Sequence, residues 1–301
     1  MNKTWKSIKR NWFLYLLLVV PITYAVVFKY LPMIGLQIAF KNYRVVDGIF
    51  GSPWAGAKYF EMFFNSPNFW PVLKNTIILS VYNLALSFPI AIIFAIMVNE
   101  VRCVKFQKAV QLISYAPYFI STVVLIAMLM EFTNIRNGMI NNILGLFGVD
   151  PVNFFGEAKW FRFLYVWSGV WQNTGYSAII YIAALTSIDP TYYEAAKIDG
   201  ATRLQKIWYV DLPSLKPTII ILLIVSVGQI MNLGFEKAFL MQTPLNRDTS
   251  EIIATYSYKI AFESGQYSFS TAIGFFNSVI NMILLMTVNR ISRKMTETSL
   301  W

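Results

Sequence analysis

The sequence predicts an all-α integral membrane protein, and three observations carry this prediction. The chain of 301 residues is 56% hydrophobic and only 13% charged, whereas an ordinary soluble domain is about 25% charged. Six stretches are apolar over the roughly 20 residues that a membrane-spanning helix needs. Basic residues concentrate at alternate ends of these stretches. The six predicted spans cover residues 12–31, 72–98, 109–131, 161–185, 217–240 and 270–290.

The basic residues predict the orientation of the chain, because Lys and Arg are enriched in cytoplasmic loops. They lie before span one and after spans two, four and six: Lys3, Lys6, Lys9, Arg10, Arg102, Lys105, Lys108, Lys197, Arg203, Lys206, Lys216, Arg290, Arg293 and Lys294. The segments on the other side of the membrane hold fewer basic residues for their length, among them Lys41, Arg44 and Lys58. We therefore expect a multi-pass protein of the plasma membrane with both termini in the cytoplasm. The long first apolar run, which lacks a small-residue cleavage site, favours an uncleaved anchor over a signal peptide.

Composition and missing motifs exclude several classes of function. The chain has no histidine and one cysteine, Cys103, which excludes histidine-based acid–base catalysis and an internal disulfide. A phosphate-binding loop of the form GxxxxGK[ST] is absent, and the glycine-rich GIFGSPWAG lacks the required Lys-Ser/Thr. The net charge of +10 forms no contiguous basic stripe with aromatic side chains, so no nucleic-acid partner is expected. We expect no catalytic residue, no metal site and no cofactor in this chain.

One polar segment, residues 189–213, interrupts the apolar sequence between spans four and five. It contains, in chain order, a helix start at Asp189-Pro190, a glycine suited to a left-handed turn at Gly200, a capping box of Thr202 and Gln205, and a terminating proline at Pro213. These signals predict a short helix, a glycine turn and a second helix, together called the elbow below. The alternative interpretation is an ordinary loop at the membrane surface.

The elbow resembles the EAA motif of ABC importer permeases. In that motif EAA is followed by three residues, G, nine residues, I, one residue and LP; here Val210 takes the place of the isoleucine. The resemblance implies the type I ABC importer permease fold with six transmembrane helices, in which the elbow is a cytoplasmic coupling helix that docks on a separate ATPase subunit. The docking residues that it implies are Glu194, Ala195, Ala196, Asp199, Gly200 and Ala201.

Further stretches are similar to the LplB-like permeases of polysaccharide and oligosaccharide importers. They are LPMIGLQIAFKNY from Leu31, GSPWAGAKYFEMFF from Gly51, GFEKAFLMQTPLNRDTSEIIATYSYKIAF from Gly234 and YSFSTAIGFFNSVINMILL from Tyr267. The resemblance implies one permease domain over residues 1–301. It also implies a second, non-identical permease subunit, two ATPase subunits that carry ATP and Mg²⁺, an extracellular solute-binding protein, a carbohydrate substrate and the surrounding lipid.

Polar and aromatic side chains within the spans are the candidate substrate contacts. Gln229, Asn232 and Glu236 have the i, i+3, i+7 spacing of one helical face in span five. The other candidates are Trp171 and Gln172 in span four, Asn277 and Asn281 in span six, and Tyr118 beside Pro117 in span three. Amides bind sugar hydroxyls and aromatic rings bind sugar C–H faces. The alternative is that these groups form interhelical hydrogen bonds or anchor the helices at the membrane interface.

Two other classes of protein fit the sequence less well. An ion-coupled secondary sugar transporter is expected to show acidic groups within the membrane and an inverted repeat. The spans contain no centrally placed acidic residue, and the sequence shows no clear repeat. A membrane enzyme such as a glycosyltransferase needs a carboxylate pair or a metal cluster, whereas the acidic residues here are scattered among loops.

Overall fold

The computed structural model describes residues 10–296 and residue 299, and these residues are helical almost throughout, with one isolated antiparallel bridge between Lys41 and Trp54. The expected all-α class is therefore confirmed. The predicted basic residues Lys3, Lys6 and Lys9 lie outside the described residues. Two compact units are present. One comprises the described part of Met1–Ser66 with Ser257–Phe276, and the other comprises Pro67–Tyr256 with the described part of Asn277–Trp301.

The first unit is organised by helix α1, Trp12–Phe40, which contains the predicted span 12–31. The helix is α-helical to Ala25 and then passes through a π turn and a 3₁₀ segment, so it continues beyond the predicted end. Its last ring, Phe40, stacks on Trp54 with ring centroids 5.8 Å apart. The short helices α2, Gly48–Gly51, and α3, Lys58–Phe64, complete this part of the unit.

The second unit is built on two long helices that pack along each other, α4, Phe69–Asn99, and α8, Ala158–Thr186. They contain the predicted spans 72–98 and 161–185. Their contact has two hydrophobic clusters. The residues of the first include Leu79, Phe161, Leu164, Tyr165 and Val166, and those of the second include Ala91, Ala95, Ala178, Tyr181 and Leu185. The alanines of the second cluster allow the two helices to approach closely.

The predicted span 109–131 is not one continuous helix, and this prediction is corrected. Helix α5, Val104–Phe119, and helix α6, Thr122–Phe132, meet at an angle of 98°. Pro117 lacks an amide hydrogen, and the chain around it narrows into a 3₁₀ turn that ends at Phe119. Ser121 then starts α6, where its side chain accepts a hydrogen bond from the Val124 amide at 3.4 Å. Helix α7, Met139–Leu146, follows.

The elbow has the local structure that its sequence predicts, except at its end. Asp189 caps the start of helix α9, Pro190–Ile198, and Gly200, just after the helix, has a φ of 71°. Thr202 and Gln205 form the capping box that opens helix α10, Arg203–Gly228. The prediction that Pro213 terminates the second helix is wrong. A π turn over Ile207–Asp211, just before the proline, absorbs the missing amide hydrogen bond, and the helix continues.

The predicted span 217–240 is also corrected, because α10 ends at Gly228 and a separate short helix, α11, Phe235–Met241, follows. Two glycines, Gly228 and Gly234, bracket the break, and glycine is a poor helix former. A Cβ on Gly228 would lie 2.5 Å from Leu285 Cδ1, so a larger residue there would require the Leu285 side chain to shift. After α11 come the short helices α12, Arg247–Ser250, and α13, Ile253–Phe262. The last helix is α14, Tyr267–Thr296, and it contains the predicted span 270–290.

Four of the described helices are individually long and apolar enough to cross a bilayer: α1, α4, α10 and α14. The bent pair α5–α6 raises the number to five if it counts as one span. Helix α8 is about 44 Å long at 1.5 Å per residue, but it is more polar than these helices. Much of its surface is buried against protein, including Phe161, Ser168 and Gly175.

Candidate functional site

The second unit contains a cavity of about 500 Å³ that is lined by α4, α8, the end of α10 and the break after it. This volume falls within the usual range of small-molecule sites, roughly 300–1,000 Å³. None of the lining side chains carries a charge. The polar and aromatic ones are Ser80, Asn83, Ser87, Phe88, Tyr165, Tyr176, Ser177, Tyr181, Ser226, Gln229 and Asn232.

Several of the lining groups have hydrogen-bonding capacity to spare. The Gln229 side chain makes no hydrogen bond to any of the residues that the structure describes, and the Asn232 amide nitrogen likewise donates to none of them. The hydroxyl of Ser80 is buried and has no partner in the same part of the chain. Gln229 and Asn232 are exposed, so their free amide groups are available to a polar ligand, whereas the buried Ser80 hydroxyl costs free energy that a polar ligand would relieve.

Two amides of α14 hold the break after α10 in place. The Oδ1 atom of Asn232 accepts hydrogen bonds from Asn277 Nδ2 at 3.1 Å and Asn281 Nδ2 at 3.0 Å. Asn281 Oδ1 in turn accepts from the Met231 amide at 3.1 Å, which replaces the helical bond that the break removes. Asn277 and Asn281, predicted as substrate contacts, therefore act here as supports for Asn232.

The sequence prediction missed the contribution of α4 to the cavity. Ser80, Asn83 and Ser87 are spaced i, i+3, i+7 and lie on one face of the helix, where Ser87 Oγ donates to Asn83 Oδ1 at 3.2 Å. These polar residues stand out in an otherwise apolar helix. The same search for periodic polar residues that singled out span five would have found them.

The predicted helical face of Gln229, Asn232 and Glu236 does not exist, because the helix breaks between them. Glu236 lies on α11, where it is exposed and does not line the cavity. Trp171 and Gln172 also lie elsewhere: Gln172 Nε2 donates to the Ile120 carbonyl at 2.8 Å, at the bend between α5 and α6. This bond is one of the interhelical hydrogen bonds that the alternative interpretation expects.

Tyr118 contributes to the cavity only through another ring. Its ring stacks on that of Tyr176 with centroids 3.7 Å apart and planes 4° from parallel. Tyr176 lines the cavity, whereas Tyr118 lies behind it and is 39% exposed. The stack fixes the orientation of the Tyr176 ring. It is a direct contact between the bend after α5, where Tyr118 lies, and the cavity wall on α8.

The elbow forms a separate concavity of about 430 Å³ between α9 and the start of α10. Five of the six predicted docking residues line it, namely Ala195, Ala196, Asp199, Gly200 and Ala201, whereas Glu194 does not. The space beside Gly200 is open, since an added Cβ would meet no atom within 4 Å. Two large apolar side chains of the elbow, Ile198 at 86% and Leu204 at 69%, are exposed.

A polar network connects the elbow to the ends of α4 and α10. The Tyr193 hydroxyl donates to Asp211 Oδ1 at 2.7 Å, and Asp211 is fully buried. Lys206 lies over the Tyr193 ring at 5.4 Å and forms an ion pair with Glu100, which follows α4. Burial, together with the hydrogen bond to Asp211 and its charge, raises the pKa of the Tyr193 phenol, so that it remains a donor. These contacts join α9 to α10 and to the residue that follows α4.

Comparisons with known proteins agree with this architecture. Residues 12–297 match the family described as binding-protein-dependent transport system inner membrane component. The chain is 41% identical over 289 residues to the polygalacturonan/rhamnogalacturonan transport system permease protein YteP of Bacillus subtilis, covering 96% of this chain and 90% of that protein. It is 39% identical over 295 residues to the protein LplB of the same organism, covering 98% and 93%.

A solved structure shows the same fold. It is that of a bacterial alginate ABC transporter in complex with alginate pentasaccharide-bound periplasmic protein. One of its chains superposes with a TM-score of 0.91 at 39% identity, covering 99% of this chain and 100% of that one. The match of the family over residues 12–297 and the two relatives leave one conclusion. This chain belongs to the binding-protein-dependent transport system inner membrane components.

Proposed function

We propose that this chain is one permease subunit of an ATP-driven importer that takes up an oligosaccharide delivered by a solute-binding protein. The observation that carries the proposal is the uncharged cavity of amides, hydroxyls and tyrosine rings in the second unit. Amides and hydroxyls exchange hydrogen bonds with sugar hydroxyls, and aromatic rings pack on sugar C–H faces. The similarity to a polygalacturonan/rhamnogalacturonan permease and to a chain of an alginate importer supports a carbohydrate substrate.

The topology that fits this function has six spans, with α1, α4, the pair α5–α6, α8, α10 and α14 each crossing once. Counting α8 as a span places the elbow on the same side as Arg102, Lys105 and Lys108, in agreement with the enrichment of basic residues in the cytoplasm. Without it, these basic residues would be divided between the two sides. Both termini are then cytoplasmic. The polarity of α8 is compatible with a span that faces protein and a cavity rather than lipid.

The elbow is proposed to dock on an ATPase subunit, because the chain has no phosphate-binding loop of its own. ATP and Mg²⁺ bind to two such subunits, whose closure moves the elbow. The network from Tyr193 to Glu100 passes this motion to α4 and α10, which line the cavity. A second, non-identical permease closes the other half of the path, and the outer segments 32–71 and 241–268 receive the solute-binding protein.

Co-expression with the presumed partners tests the assembly. We expect the chain to purify in a complex with one second permease and two ATPase copies, and to aggregate when expressed alone. The physical reason is that, without the second permease, the polar cavity wall with Gln229 and Asn232 would face lipid, which does not satisfy their amides. Native mass spectrometry gives the stoichiometry. A stable monomer that transports sugar unaided would overturn the proposal, and it would favour the ion-coupled transporter instead.

Replacement of Asn232 tests the cavity. Asn232→Leu is expected to lower oligosaccharide-stimulated ATP hydrolysis about fivefold, since the single hydrogen bond that its amide nitrogen would donate to the substrate is worth about 1 kcal/mol. The complex should still assemble, because the substitution preserves volume. The matched control is Asn142→Leu, which changes an exposed amide on α7 that does not line the cavity. Equal stimulation of both variants would show that the break after α10 is only a packing feature.

A further inference from the structure

A lysine ammonium lies directly behind the wall of the cavity. Lys237, on α11, donates from Nζ to the Tyr165 carbonyl at 2.8 Å, and its ammonium lies 4.8 Å from the centroid of the Tyr165 ring. A Cβ built on Gly169 would be 3.1 Å from Lys237 Nζ and 3.8 Å from Asn83 Oδ1. Tyr165 and Asn83 both line the cavity. The ammonium is therefore separated from the cavity by a single layer of side chains.

This positive charge has no negative partner on the protein. No carboxylate lies within 4 Å of the Lys237 ammonium in the part of the chain that the structure describes. Glu236 is its sequence neighbour, but it is exposed, and adjacent residues of a helix point about 100° apart. Glu131, on the neighbouring helix α6, is exposed as well. Among the described residues, the Lys237 side chain hydrogen-bonds only to the neutral carbonyl of Tyr165.

An ammonium that is largely removed from water without a counter-charge is costly. Ionisable residues at membrane depth usually serve a ligand or an ion path. The cavity beside Lys237 contains no carboxylate that would repel an anion. Gly169 is needed beside the ammonium, because a Cβ there would lie only 3.1 Å from Lys237 Nζ.

The geometry points to Lys237 as the residue that selects for acidic oligosaccharides, those built from uronic acid units, by supplying the counter-charge to a substrate carboxylate. This inference rests on the proposed function and narrows its substrate class. The neutral amides and hydroxyls of the cavity bind the sugar hydroxyls. The lysine adds discrimination between a carboxylate and the corresponding uncharged group, which the neutral lining alone does not provide.

Binding of a charged and a neutral form of one sugar tests the inference directly. The probes are trigalacturonate and its fully methyl-esterified form, which have the same ring number and the same hydroxyls. Each is titrated into the purified complex of this chain, its partner permease and the ATPases, and the apparent affinity is read from the rise in unfolding temperature. The solute-binding protein is omitted because it has its own specificity. We expect trigalacturonate to bind about tenfold more tightly than its ester. A rising salt concentration should weaken the binding of trigalacturonate only.

Three variants separate charge from structure. Lys237→Gln should weaken binding of the acid about tenfold and leave binding of the ester unchanged. Lys237→Arg should keep the tighter binding of the acid. The matched control is Lys159→Gln, which removes an exposed lysine that is paired with Glu157. If Lys237→Gln does not assemble, the arginine variant and the salt dependence of the unmodified complex still decide the question.

The remaining outcomes overturn the inference. It is wrong if the unmodified complex binds the ester as tightly as the acid, if neither probe stabilises the complex, or if Lys237→Gln weakens both probes equally. Each of these results leaves the proposed function standing, provided that the complex still takes up some oligosaccharide in an ATP-dependent manner. Loss of all such uptake would instead refute the proposed function itself.

Discussion

Gly200→Val is expected to remove at least about nine-tenths of oligosaccharide uptake while membrane insertion and pairing with the second permease persist. Gly200 has a φ of 71°, and a β-branched residue in that conformation strains the backbone by about 1–2 kcal/mol. A Cβ at this position would meet no atom of the described residues within 4 Å. The valine would instead project into the concavity where the ATPase subunit is proposed to dock. Uptake and pull-down of the ATPase should therefore fall together.

The chain contains a matched control for this substitution. Gly148 has a φ of 75° and equally open surroundings, but it follows α7 and lies outside the elbow. Gly148→Val carries a similar backbone cost and should leave uptake nearly unchanged. If both valine variants lose uptake to the same degree, strain alone explains the effect. If Gly200→Val loses uptake but binds the ATPase normally, the elbow acts in transmitting motion rather than in docking.

Tyr193→Phe is expected to uncouple ATP hydrolysis from uptake, with about tenfold less sugar moved per ATP hydrolysed. The substitution removes the 2.7 Å hydrogen bond to Asp211 and leaves a fully buried carboxylate without its donor. Such a loss costs about 1–3 kcal/mol. The elbow would then move with less effect on α10. Parallel measurement of phosphate release and labelled-sugar uptake in the same vesicles gives the ratio.

Tyr192→Phe is the control for the network, because it removes a neighbouring phenol that is 64% exposed. The ratio of uptake to hydrolysis should stay at its original value in this variant. A second variant, Asp211→Asn, keeps an acceptor for Tyr193 and should retain more coupling than Tyr193→Phe. An unchanged ratio in Tyr193→Phe would exclude the network as a path from the elbow to the helices.

The elbow could be predicted from sequence because its signals are local. Asp189, Gly200 and the pair Thr202–Gln205 each act within a few residues, and each has the predicted backbone conformation or hydrogen bond. The prediction failed at Pro213, since a π turn in the preceding residues compensates for a proline inside a helix. Proline is thus a weaker stop signal where a wider turn precedes it.

The cavity was harder to predict because it depends on where helices break and which faces meet. An average of hydropathy over residues 217–240 does not detect the break after Gly228, which is stabilised by Asn281 on a distant part of the chain. Gln229 and Asn232, predicted as substrate contacts, line the cavity, but not through the predicted shared helical face. Ser80, Asn83 and Ser87 have the same i, i+3, i+7 spacing, but they lie in span two, where the sequence prediction placed no substrate contact.

The most direct measurement is uptake by proteoliposomes that contain the complete complex. Vesicles are made with this chain, the second permease, both ATPases and an external solute-binding protein, and labelled oligosaccharides are supplied with ATP inside. We predict uptake that requires ATP and the binding protein and that stops when this chain is omitted. Uptake that follows an ion gradient without ATP, or that continues in vesicles lacking this chain, would contradict its role as a permease subunit of an ATP-driven importer.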